Sequence, residues 1–144
     1  MAMMRMIAGG TTLIAAVLLH GAVQAQTGQQ CALCYGRTGA PAELEPPEIL
    51  ISGCTAVIQS GNFSGHDLAV AFTNRGLGFR RTSQFERAFE DFNEAINLDS
   101  TYAPAYHHCG YMYLERGEIE RAGRDFDQAA RLNRRETELG DEEL

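Results

Sequence analysis

From Ala69 onward, apolar and small residues recur with helical spacing. In VAFTNRGLGFRR, Phe72, Gly76 and Phe79 stand at i, i+4 and i+7, and in YHHCGYMYLERG Tyr106, Gly110 and Tyr113 repeat that spacing. The small glycine on each of these faces is expected to let a neighbouring backbone come close. FERAFEDFNEAINL carries Phe85, Ala88, Phe92, Ala95 and Ile96 on one stripe, and IERAGRDFDQAARL carries Ile119, Ala122, Phe126, Ala129 and Ala130. Glu86, Arg87, Glu90, Asp91 and Glu94 fall on the opposite side of the first stripe and are expected in water. Upstream, EPPEILISGCTAVIQSG reads as one more helix, with Pro47 in its first turn, Gly61 as its C-terminal cap, and Ile49, Leu50, Cys54, Val57 and Ile58 facing inward. Ser64, three residues before Asp67, is a candidate N-cap for the next helix. Gly117 is expected to end its helix in a left-handed conformation. The pattern predicts an all-α chain of about five helices.

The segments are copies of one another. Phe72, Gly76, Phe79, Ala88, Phe92 and Ala95 recur 34 residues later as Tyr106, Gly110, Tyr113, Ala122, Phe126 and Ala129. Aromatic, Gly, aromatic, Ala, aromatic and Ala at that period resemble the tetratricopeptide repeat, a helix-turn-helix unit that stacks into a short solenoid. The chain departs from the pattern where Arg75 and Cys109 replace its leucine, and where Ser100 and Arg134 replace its terminal proline. The resemblance divides the chain into a degenerate half repeat over 47–61, a first repeat over 69–102, a second over 103–136, and an acidic tail over 137–144. CTAVIQSGNFSGHDLAVAFTNRGLGF further resembles a group of secreted bacterial tetratricopeptide proteins, many of them alphaproteobacterial, in which a cysteine of this helix follows an upstream cysteine. Two repeats are fewer than the three such arrays usually need, so a disulfide, a homodimer or a permanent partner should compensate.

Composition changes the picture at the N-terminus. Arg5, an apolar run densest from Leu13 to Leu19, and small residues ending at Val23-Gln24-Ala25 follow the three-part plan of a secretory leader. Cleavage is expected between Ala25 and Gln26, leaving 26–46 as a linker containing Cys and Pro. The expected compartment is the periplasm or the cell exterior, with no stable membrane insertion after cleavage. The formal net charge of −7 disfavours nucleic acid.

Cys31, Cys34, Cys54 and Cys109 all follow the leader, where thiols tend to pair. Closing the loop from Cys34 to Cys54 is worth roughly 3 kcal/mol in the chain-entropy picture. Cys34 is the expected partner of Cys54, with Cys31 as the rival, and the resemblance supports such a bridge. Cys31-Ala-Leu-Cys34 could instead serve thiol-disulfide exchange, the alternative function. A c-type haem is excluded because Tyr35, not His, follows the second Cys.

What the resemblance implies for function is non-catalytic binding of a protein or peptide in a groove lined by the first helix of each repeat. On this chain those positions are Val70, Thr73, Asn74 and Leu77, then Pro104, His107, His108 and Tyr111. Family members that grip a C-terminal carboxylate do so with Lys, Arg and Asn there; this chain has no Lys, and only Asn74 fits. Arg75, Arg80 and Arg81 are expected to pair with carboxylates at the surface. His107, His108 and Cys109 are consecutive on a helix and point about 100° apart, so they do not converge on one metal ion. No cofactor is implied, and no nucleophile elbow, phosphate loop or zinc-protease helix is present, so no enzyme is expected.

Overall fold

A computed structural model of the chain describes residues 34–35 and 44–141. The expected leader, Cys31, most of the linker and the last three residues lie outside the described residues. Among those described, five helices follow one another: α1 (Pro47–Ser60), α2 (Gly65–Arg81), α3 (Phe85–Leu98), α4 (Ala103–Glu115) and α5 (Ile119–Asp141). There is no strand among them, and no helix long and apolar enough to cross a membrane.

Helix boundaries follow local chemistry. Pro47 opens α1, where its missing N–H costs nothing, and Gly61 closes it at φ 67°. Ser64 stands at the N-cap of α2 in extended conformation, but its side chain makes no capping bond, and the helix begins at Gly65, earlier than the expected repeat boundary. Helices α2 and α4 end alike. Gly117, at φ 75°, donates to the Leu114 carbonyl while Glu118 donates to Tyr113, both at 2.9 Å. One repeat earlier, Ser83 donates to Arg80 at 3.0 Å and Gln84 to Phe79 at 2.8 Å. Ser83 does this at φ 61° with a Cβ, a conformation that costs a non-glycine residue about 1 kcal/mol. Ser83→Gly is therefore expected to raise stability by up to about 1 kcal/mol and Tm by a few degrees; a lowered Tm in thermal denaturation would contradict this.

Each repeat is an antiparallel pair, α2 with α3 and α4 with α5, and α1 packs on α2. The largest shared core joins Phe79, Ala88, Phe92, Cys109 and Met112 across the two repeats. The repeat glycines work through a ring more than through a backbone. A Cβ on Gly76 would stand 2.7 Å from Phe92 Cε1 and 3.2 Å from the Ala88 carbonyl oxygen, and one on Gly110 would stand 2.7 Å from Phe126 Cε1. Gly78, which the repeat does not single out, meets α1 instead: its Cβ would lie 2.8 Å from Ile51 Cγ1 and 3.0 Å from the Pro47 carbonyl.

Asp91 does not face water. It is 5% exposed and takes a two-pronged contact from Arg75, Nε to Oδ2 at 2.8 Å and Nη2 to Oδ1 at 2.7 Å. Arg75 thus stands in the pattern's leucine position with its guanidinium against the Phe72 and Phe79 rings and a partner for its charge, and the expected pairing with a surface carboxylate holds for Arg80, whereas Arg81 binds a backbone carbonyl instead. Arg80 reaches Glu115 at 3.4 Å, and Arg81 donates to the Glu45 carbonyl.

Candidate partner-binding surface

The expected groove residues divide between a closed half and an open half. Thr73 and Leu77 of α2, expected as lining, are 2% and 5% exposed and offer a ligand no surface. Asn74, the one residue suited to a carboxylate, donates its amide to the Cys34 carbonyl oxygen at 2.9 Å. Cys34 lies over α1 and α2 with Cys54, Val57 and Ala71, and the Tyr35 hydroxyl donates to the Asp67 carbonyl at 2.8 Å. Cys34 and Tyr35 therefore occupy the first-repeat end of the groove.

The second-repeat half is open. Pro104 and His107 are exposed, Tyr111 is 40% exposed, and His108 is half-buried, stacked on Phe92 at 5.1 Å between centroids. The rings of His107 and Tyr111 stand edge-on 4.9 Å apart, and both lean on Phe126, at 5.6 and 5.3 Å. The Arg80 guanidinium lies 5.4 Å from the Tyr111 ring, within reach of its π-face. Together they form a ledge of aromatic and imidazole edges with one cation beside it. Such a ledge offers large rigid contact area at small conformational cost, with polar rims for direction.

Cys34 is bonded to Cys54 with Cα atoms 4.5 Å apart, and both are fully buried, so Cys34 is taken up by the expected bridge and thiol exchange through the CxxC finds no support here. Cys109 is a free thiol in the core; burial first, and Asp125 second, push it up to about 12, so it stays protonated and inert. Among the described residues no His, Cys, Asp and Glu group is placed to hold a metal ion. His66 Nδ1 lies 2.7 Å from Asp99 Oδ2 and ties the start of α2 to the turn before α4. A hydrogen bond from Thr101, then that from His66, holds the Asp99 carboxyl below its ordinary range.

No family model matches the chain. Its sequence is similar to short stretches of much longer proteins. It is 32% identical over 63 residues to a probable UDP-N-acetylglucosamine–peptide N-acetylglucosaminyltransferase SPINDLY of Oryza sativa subsp. japonica, covering 44% of this chain and 7% of that protein. It is 35% identical over 60 residues to DnaJ homolog subfamily C member 7 of Mus musculus, covering 42% and 12%. It is 34% identical over 64 residues to the mitochondrial import receptor subunit TOM70 of Homo sapiens, covering 44% and 10%. Among solved structures it resembles the second TPR of Spaghetti (RPAP3) bound to the HSP90 peptide SRMEEVD, with a TM-score of 0.59 at 24% identity, over 76% of this chain and 97% of that one.

Proposed function

We propose that this chain, a tetratricopeptide repeat protein, is a non-catalytic scaffold that binds a protein or peptide on the open face of its second repeat. The observation that carries the reading is the exposed pair of rings of His107 and Tyr111, leaning on the half-buried Phe126, with Arg80 alongside. The solved neighbour holds an acidic HSP90 peptide, and that architecture supports peptide capture here. The chemistry of capture differs. With no Lys in the chain and the Asn74 amide engaged by Cys34, a carboxylate clamp at the first repeat is not what the residues favour. A ligand with aromatic or apolar side chains, steered by Arg80, fits the ledge better.

The compartment belongs to the same proposal. A leader over 1–25 and a buried Cys34–Cys54 bond support export to the periplasm or exterior, where such bonds persist. Non-reducing peptide mass spectrometry of protein recovered from its host should find an N-terminus at Gln26 with that bond intact; a retained leader or reduced Cys54 would overturn export. For binding, the His107→Ala, Tyr111→Ala double variant should lose capture of peptides from an array while its helical circular dichroism stays unchanged. Both side chains are exposed, so fold and function separate cleanly. Capture that survives the double variant would move the binding surface elsewhere.

A further inference from the structure

The repeats are related by a shift of 34 residues, so a residue's surroundings in one indicate what its counterpart in the other is built to meet. Thr73 and Leu77 are 2% and 5% exposed, whereas their counterparts His107 and Tyr111 are exposed, Tyr111 to 40%. Val70 and Ile96 are half-buried, whereas Pro104 and Ala130 are exposed. The difference is α4. It packs on both α2 and α3, seating Ala105 against Ala69 and Ala95 and stacking His108 on Phe92. Among the described residues nothing takes the equivalent place on α4 and α5. Helix α5 runs for 23 residues where α3 runs for 14, and Ala103, Pro104, His107, Ala129 and Asn133 border an open depression of about 280 Å³. At the other end of the array, Cys34 and Tyr35 close the corresponding face.

We infer that the α4–α5 face is the seat of one further helix, supplied by a partner chain. The helix that fits is amphipathic, with a small residue at its closest approach and small or apolar residues four and seven positions on. This chain shows that chemistry in Ala105, Cys109 and Met112, all 1% exposed or less, and α2 likewise places Ala71, fully buried, against Val57 of α1 and the Cys34–Cys54 bond. A bulky residue at the first position would hold the helix axis away from Ala103 and Ala129. The inference rests on the binding reading above and specifies its ligand as a helix seated by a small residue.

The test is selection on the disulfide-bonded protein from a displayed library of helix-forming peptides with their apolar seam randomised, and a matching library of extended peptides. Helical winners should carry Ala, Gly or Ser at one seam position, and in amide NMR spectra should shift His107, Ala130 and Asn133. Ala130→Arg, on an exposed helical position, should weaken them on the order of tenfold or more with Tm unchanged. Winners from the extended library alone, or helices that Ala130→Arg leaves unaffected, would overturn the helix seat and leave the binding scaffold standing. No enrichment from either library would overturn both.

Discussion

Phe92→Ala is expected to cost about 3 to 5 kcal/mol and to lower Tm by more than about 10 °C. Phe92 is fully buried, its ring fills the space that Gly76 leaves on α2, and His108 of the next repeat stacks on its face. Removing it opens a cavity at the joint where both repeats meet, and the surrounding helices cannot collapse into it without losing their own contacts. The repeat supplies an internal control in Phe126, which sits over Gly110 in the same way but is only half-buried. Phe126→Ala is expected to cost about 2 kcal/mol, less apolar surface being withdrawn from water. Denaturant melts of the two variants should separate clearly. Equal losses would mean that α4 does not cover the first repeat in the way described.

Arg75→Leu restores the repeat's own pattern and is nevertheless expected to destabilise the protein by about 3 kcal/mol, because it strands Asp91 below the surface without its partner. The accompanying loss of Asp91, as in Arg75→Leu with Asp91→Ala, should recover most of the deficit, since removing both charges removes the burial cost of both. The pH dependence has a definite sign. Burial raises the Asp91 carboxyl above its ordinary value of 3.8, against the pull of Arg75, so the folded state binds that proton more tightly than the unfolded chain does. Removing Arg75 raises it further, and the variant's deficit should shrink as pH falls toward 3.8 and grow as pH rises through the folded value. A double variant no more stable than Arg75→Leu alone would contradict the buried-pair account.

These two sites show why part of the architecture was legible from sequence and part was not. The 34-residue recurrence of Gly76, Ala88, Phe92 and Ala95 is enforced by packing within each helix pair, so periodicity alone located the helices and their inner stripes. Asp91 lies on the polar side of that stripe, and nothing in its spacing distinguishes it from Glu90; only Arg75, a charge in a leucine position one helix earlier, hints that a partner must be drawn in. Thr73 and Leu77 occupy the same register as His107 and Tyr111, yet end up buried, because burial there is decided by the following helix and not by the residues' own element. Asn74 is diverted for a similar reason: the segment bonded through Cys34 brings a carbonyl to it from 40 positions away. Ser83 shows the converse case, in which the repeat's geometry is kept although the glycine that favours it, present at Gly117, is missing.

The binding claim rests on one exposed ledge, so the most direct measurement places a photo-crosslinking amino acid at position 111 in the protein expressed in its host, with position 121 on the outer side of α5 as control. Arg121 is exposed, so both probes reach the surface. The account predicts a discrete crosslinked protein or peptide species from position 111 that is absent from position 121 and competed away by unlabelled wild-type protein. Crosslinks from position 121 alone, or identical yields from both positions without competition, would contradict it.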